Sequence, residues 1–168
     1  ANPEVADVII TVRADYHVRS LVDVVSRGGV FLMSLTPKGD GSIPAEEQKI
    51  MRGIGRWLKV NGKAIYGTRP WKVHAEGPTV TRGIKRNAKG VEKEQWDWRK
   101  KFTSEDIRFT SKGDTLYAIA LSWPANGTLT IRSLSEDADL RIKSVSLLGH
   151  SGSLRWSQTN DGLTVIRF

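Results

Sequence analysis

A short apolar run sets the strongest limit on how this chain can fold. Residues 30–35, with the sequence VFLMSL, contain five apolar residues and one serine, without the apolar and polar alternation of a half-exposed strand. Such a run predicts a strand covered on both faces, as in a parallel sheet. A strand of this kind requires neighbouring strands and covering helices.

Helices are predicted on both sides of this run. The apolar residues with helical spacing before it are Val18, Leu21, Val22 and Val25. They indicate a helix over residues 17–27, which Gly28 ends in a left-handed conformation. A second helix is predicted from Pro44, which suits a first helical turn, to Asn61. The first part of the chain therefore has an α/β pattern.

Short strand patterns separated by turn residues follow residue 71. The clearest is a hairpin of residues 107–110 and 115–123 around a turn at residues 112–114. Further strands are predicted at residues 129–134, 140–148, 154–157 and 163–168. This pattern is typical of an antiparallel β-sandwich. We therefore divide the chain into an α/β unit, residues 1–68, and an all-β antiparallel sandwich domain, residues 69–168.

Length and composition exclude several classes of protein. A complete (β/α)8 barrel needs roughly 250 residues, whereas this chain has 168. The α/β unit is thus expected to be part of a larger α/β domain, whose other strands and helices this chain does not supply. A net charge of +8 makes polyanion binding an option to test, and the absence of cysteine excludes disulfides and thiolate chemistry. The most apolar early segment, residues 5–12, is too short to span a bilayer or to act as a signal sequence.

Three motifs in order resemble the α-L-fucosidases of glycoside hydrolase family twenty-nine. They are LVDVVSRGG at residues 21–29, PKGDGSIP at residues 37–44, and IGRWLKVNGKAIYGTRPW at residues 54–71. The resemblance implies that they are the helix before the last barrel strand, the loop after that strand, and the final barrel helix with its exit into a C-terminal β-sandwich. The expected fold is then an α/β remnant of a (β/α)8 barrel followed by an all-β antiparallel sandwich.

The resemblance also implies an activity for the intact family and a role for this part. Family members hydrolyse terminal α-L-fucosyl linkages with retention, using an aspartate nucleophile and a second carboxylate as acid/base. Both lie on barrel segments upstream of the matched motifs, so we assign no catalytic residue here, no metal ligand and no cofactor. We expect a non-catalytic, structural portion of the enzyme. Whether the chain is an enzyme by itself stays open, and His17, His74 and His150 take no catalytic role.

Two departures from the family pattern bear on this expectation. The last barrel strand in the family carries asparagines in a run like GGNLLLN, whereas this chain has GVFLMS at residues 29–34. Residues 1–16 match the family poorly. They could be a divergent loop, a true alternative start of the chain, or the accidental beginning of a gene fragment.

Asp40 is the single candidate for substrate binding. It follows the predicted last strand, on the barrel face where substrates bind, and could line the rim of a sugar pocket. We favour the alternative that Asp40 shapes the turn between Gly39 and Gly41. Glu46 and Glu47 could be a pair of acid/base carboxylates, but we favour charges at a helix N-terminus facing water.

A basic segment at residues 82–101 contains Trp96 and Trp98 among lysines and arginines. It could stack bases or sugars, but we favour a solvated hairpin or loop whose tryptophans cover the sandwich, since no nucleic-acid motif accompanies it. Asn126 lies in a glycosylation sequon that is also a common turn sequence, and we interpret it as a turn.

The expected partners are the rest of a fucosidase barrel, on the same precursor or a separate chain, and a fucosylated glycan bound by the intact enzyme. We expect no nucleic acid and no membrane. The compartment is undetermined, with secretion or the periplasm as the expectation for an intact enzyme. The alternative hypothesis is a free-standing β-sandwich module that binds carbohydrate or a polyanion. A third possibility is that residues 30–35 lie exposed and cause self-association.

Overall fold

Two helices and two main β-sheets form most of the structure. The computed structural model describes residues 4–12, 16–79, 84–86, 92–94, 102–136 and 140–166. The helices are α1 (Tyr16–Ser26) and α2 (Ala45–Asn61). The strands are β1 (Glu4–Val12), β2 (Arg69–Glu76), β3 (Ile84–Arg86), β4 (Glu92–Glu94), β5 (Ile107–Lys112), β6 (Thr115–Ala120), β7 (Thr128–Ile131), β8 (Leu140–Leu147), β9 (Arg155–Thr159) and β10 (Gly162–Ile166). Short 3-10 turns occupy Gly62–Ala64 and Arg132–Leu134.

The larger sheet has five strands in the order β2-β5-β6-β1-β8, and a second has three in the order β7-β10-β9. Within the predicted sandwich region, the pairs β2–β5, β5–β6, β7–β10 and β9–β10 are all antiparallel, as expected. The predicted hairpin is present as β5 and β6, although its second strand ends at Ala120 rather than at residue 123. Strands β3 and β4 form a separate antiparallel pair.

Strand β1 was not predicted, and it lies between β6 and β8. It pairs in parallel with both neighbours. Val8 and Ile10 are fully buried in the core between the two sheets, while Ile9 packs toward the helices. Residues that match the family poorly therefore occupy an interior position in the larger sheet. The predicted division at residue 68 stays a prediction, and β1 pairs across it with strands of the second unit.

Strands β5 and β6 of the larger sheet are buried on both faces, and the alternation along β6 shows how. Leu116, Ala118 and Ala120 face the three-stranded sheet and form the sandwich core with Phe109 and other residues. Tyr117 and Ile119 point to the opposite face, where they pack with Val18 and Val22 of α1. Because successive side chains of a strand point to opposite faces, one strand can serve two cores.

The helices agree with the sequence pattern. Val18 and Val22 of α1 are buried, and Glu46 and Glu47 lie in the first turn of α2 after Pro44. Neither described helix is long and apolar enough to span a bilayer. Gly28 has φ +78°, and the backbone N–H groups of Gly28 and Gly29 donate to Val25 O and Val24 O, which is the Schellman arrangement of a helix end.

The prediction of a buried strand at residues 30–35 is wrong for this chain. The segment is not assigned to a strand, and the side chains of Val30 and Leu32 are 92% and 91% exposed. No strand in the described ranges pairs with it. A buried strand needs hydrogen-bonding neighbours, and the five-stranded sheet is formed by other segments. Residues 30–35 therefore have the composition of a buried strand, but the described part of the chain supplies no neighbouring strands to bury them.

Replacing Ile10 by alanine is expected to lower the free energy of unfolding by about 2–5 kcal/mol, because the side chain is fully buried in the sandwich core. Urea denaturation followed by tryptophan fluorescence measures this change. The control is Ser146→Ala in the adjacent strand β8, an exposed position, with an expected change within about 0.5 kcal/mol. Equal effects of the two substitutions would contradict the interior position of β1.

Candidate functional site

The helical part is fixed to the sheet by a buried ion pair. Arg108 projects from β5 on the face opposite to the sandwich core, and its Nε lies 2.6 Å from Asp23 Oδ1 of α1. The two side chains are 1% and 3% exposed. Arg27 Nε lies 3.3 Å from the other oxygen of Asp23, and Arg108 Nη1 donates to Ile107 O. Asp23 thus forms ion pairs with Arg108 of the sheet and with Arg27, which directly follows its own helix.

A second polar contact joins the end of α2 to the same strand. Thr110, two residues after Arg108 and on the same face of β5, donates from Oγ1 to Ala64 O over 2.7 Å. Both side chains are buried. Residues 107–110 alternate apolar and polar side chains, and the sequence alone indicates no partner for the polar face. Residues 85 positions apart form the ion pair, and no local pattern identifies such a contact.

The exposed apolar run at residues 30–35 lies in the segment that connects α1 to α2. Along residues 30–35 the side chains alternate between exposed and half-buried, as in an extended segment. The backbone N–H of Thr36 then donates to Glu47 Oε2 over 2.9 Å, which ties the end of the run to α2. Glu46 is exposed to water, as expected for a charge at the helix N-terminus, whereas Glu47 is half-buried and has a structural partner in Thr36.

Asp40 shapes the turn between the run and α2. Its Oδ1 accepts hydrogen bonds from the Ser42 hydroxyl at 2.7 Å and from the Ser42 backbone N–H at 2.9 Å. These hydrogen bonds lower the pKa of this exposed carboxyl below its ordinary value of 3.8. The bond from the Ser42 hydroxyl is the larger cause, and the bond from the Ser42 N–H is the next. The geometry supports the turn interpretation. A role for Asp40 at a pocket rim stays a prediction.

The three histidines lie on different elements: His17 on α1, His74 on β2 and His150 after β8. His17 makes an edge-on contact with the Tyr16 ring, with 5.1 Å between centroids. No cluster of three potential metal ligands occurs within the ranges that the structure describes. Asn126 accepts at Oδ1 from the Thr128 N–H, as a turn residue does. Trp96 and Trp98 lie outside the described residues.

The comparisons with known proteins match both parts of this arrangement. The family model described as Alpha-L-fucosidase matches residues 11–63, which include α1, the exposed run and α2. The model described as Alpha-L-fucosidase C-terminal domain matches residues 99–166, which include β5 to β10. Together the two matches cover more than half of the chain. This chain belongs to the α-L-fucosidase family.

Individual fucosidases agree with this assignment. The human tissue alpha-L-fucosidase is 34% identical over 144 residues, covering 86% of this chain and 25% of the relative. An alpha-L-fucosidase of Branchiostoma floridae is 34% identical over 152 residues, covering 90% of this chain and 28% of the relative. The crystal structure of Thermotoga maritima alpha-fucosidase in complex with fucose superposes with a TM-score of 0.59 and 26% identity, over 91% of this chain and 30% of that one.

The chain therefore spans about a quarter to a third of the length of these fucosidases. The ion pair between Asp23 and Arg108 joins a residue of the first family match to a residue of the second. Most of β1 lies before both matches, so this interior strand of the larger sheet comes from outside the residues that the two family models match.

Replacing Arg108 by alanine is expected to lower the free energy of unfolding by about 3–5 kcal/mol, because it leaves a buried carboxylate without its main partner. Chemical denaturation measures the change. The matched control is Arg27→Ala, which removes the partly exposed arginine from the same carboxylate and is expected to cost at most about 1 kcal/mol. If the two single variants were equally unstable, the buried pair would not be the dominant contact.

Carbon-13 NMR should show the pKa of Asp40 below 3.8, and Ser42→Ala should raise it by removing the hydroxyl donor while the backbone donor remains. Because the pKa is lowered in the folded state, the stabilisation from these bonds is present above about pH 4 and is lost as the pH falls through the lowered pKa. A wild-type pKa at or above 3.8, or one that Ser42→Ala leaves unchanged, would show that the turn does not favour the charged carboxylate.

Proposed function

We propose that this chain is the C-terminal portion of an α-L-fucosidase and that it acts structurally, without catalytic groups of its own. Residues 30–35 would form a strand of the catalytic barrel, α1 and α2 would be barrel helices, and the β-sandwich would brace them. The required partner is the remainder of a fucosidase barrel, on the same precursor or on a separate chain. The fucosylated glycan would bind to the intact enzyme.

The observation that carries this proposal is the exposure of Val30 and Leu32. Both are more than nine-tenths exposed, in a run whose composition is that of a buried strand, and the run lies inside the match to the fucosidase model. Exposed apolar surface of this kind marks a site of association. The backbone of an extended segment can also pair with neighbouring strands.

The position of the ion pair supports a bracing role for the sandwich. Asp23 lies five residues before Gly28, where the chain leaves α1, and its buried partner comes from β5. The sheet thereby sets the direction in which residues 30–35 leave the helix. A barrel strand must enter its sheet in a defined register, because a shift by one residue turns every side chain to the opposite face.

This chain is expected to release no nitrophenol from a nitrophenyl α-L-fucoside by itself, and to restore hydrolysis when combined with a fucosidase segment that carries the earlier barrel strands. The segment of the Branchiostoma floridae relative that precedes the matched region is a suitable partner. Co-purification gives a second measurement that does not depend on activity. Hydrolysis by the isolated chain at a rate typical of the family would contradict the proposal.

Leu32→Asp is expected to reduce both co-purification and restored activity roughly tenfold or more, because it places a charge on a strand that the barrel must bury. The matched control is Ile166→Asp, an exposed apolar position on β10 outside the run, which should have little effect. If both variants associated as well as the wild type, residues 30–35 would not be the contact with the barrel.

A further inference from the structure

A polar cleft lies at one end of the sandwich, where β2 ends and β7 begins. Its volume is about 830 Å³, within the range of roughly 300–1,000 Å³ that small-molecule sites have. The walls come from four parts of the chain: the turn after β2, the residues before β5, β7 with its neighbouring turns, and Asp161 in the turn between β9 and β10. None of these residues belongs to the apolar run or to its connection with α2.

Two carboxylates hold the walls of the cleft in place. Glu76 accepts hydrogen bonds from the backbone N–H groups of Arg132 at 2.9 Å and Ser133 at 2.7 Å. Asp106 is fully buried and accepts from the backbone N–H groups of Thr79 and Thr103, each at 2.8 Å, and from both threonine hydroxyls. Loops fixed in this way lose little further freedom when a ligand binds, which favours affinity.

Other polar groups of the cleft remain available to a ligand. Glu105 and Asp161 are exposed, and their carboxylates accept no hydrogen bond and form no ion pair with the described residues. The guanidinium of Arg132 likewise has no partner in that part of the chain. Thr128 adds a hydroxyl on β7, the Thr130 hydroxyl lies 3.5 Å from that of Thr164, and Pro78 adds a small apolar surface, whereas the Leu129 side chain is buried in the sandwich core. The cleft thus combines acceptors, donors and a small apolar wall.

The carboxylates, guanidinium and hydroxyls of the cleft favour one class of ligand. Sugar hydroxyls donate to carboxylates and accept from guanidinium and amide groups, so a neutral saccharide can satisfy both kinds of group at once. Sulfated or phosphorylated ligands would meet the carboxylates of Glu105 and Asp161, and like charges repel. We propose that the cleft is a binding site for a short neutral oligosaccharide. The inference goes beyond the proposed barrel role and requires no part of the barrel.

The chemistry of the cleft fits binding without hydrolysis. Hydrolysis of a glycosidic bond needs one carboxyl group that delivers a proton and a second that attacks the sugar or activates water. Glu76 is already occupied by two backbone donors, and Glu105 and Asp161 are exposed to water. We therefore assign the cleft to binding and assign no acid/base pair in it.

The test is a titration of the full chain, labelled with nitrogen-15, with lactose, N,N′-diacetylchitobiose and 2′-fucosyllactose, and with a sulfated heparin disaccharide. At least one neutral sugar should shift the backbone amides of Glu105, Thr128 and Asp161. Glu105→Gln and Asp161→Asn should each weaken binding by about fivefold or more, since each removes a charged acceptor. Asp114→Asn, at the exposed turn of the β5–β6 hairpin, is the matched control and should leave the affinity unchanged.

Three results would overturn the inference. They are no shift with any neutral sugar at roughly 20 mM, shifts confined to other parts of the chain, and tighter binding of the sulfated disaccharide in the cleft. Because the substituted positions are exposed, the spectra of the variants should retain the wild-type pattern, which separates lost binding from lost folding. The assay contains no barrel segment, so its outcome is independent of the fucosidase complementation experiment.

Discussion

The arrangement of helices on the sandwich depends on the guanidinium of Arg108. A charged group removed from water is strongly destabilising unless a partner of opposite charge is held close to it. Arg108 is 1% exposed, so the sheet can keep it only where Asp23 of α1 meets it at 2.6 Å. That requirement determines which face of α1 lies on β5. Together with Thr110 and the apolar side chains of β6, it fixes the helical part to one side of the sheet.

Elements defined by local patterns could be predicted from the sequence, whereas those defined by distant partners could not. Gly28 ends α1, and β5 turns into β6, because spacing and turn residues within a few positions determine these features. Strand β1 carries no comparable signal, since Asp7 interrupts its apolar residues and its neighbours are β6 and β8. The partner of Arg108 could not be predicted either, because alternation along β5 indicates only that Arg108 points away from Phe109.

The run at residues 30–35 has the composition of a buried strand, yet no other part of the described chain covers it. Its pattern predicted a buried strand, which is wrong for this structure, while the motifs on either side of it carried the correct expectation about the family. Val30 and Leu32 are exposed because the five-stranded sheet is formed by other segments and no strand in the described ranges pairs with the run. The fucosidases that it resembles are three to four times longer in the comparisons, and the matched part contains this run.

The pairing of β1 also has a consequence for the synthesis of the protein. Among the described strands β1 leaves the ribosome earliest, yet one of its two neighbours, β8, ends at Leu147. Contacts between residues so far apart in sequence form late, and all the residues between β1 and β8 must be translated before they are possible. Until then Val8 and Ile10 remain in contact with water or with chaperones, and a nascent apolar segment of this kind is prone to aggregate. Slow translation should therefore lengthen the time for which these apolar side chains are unprotected.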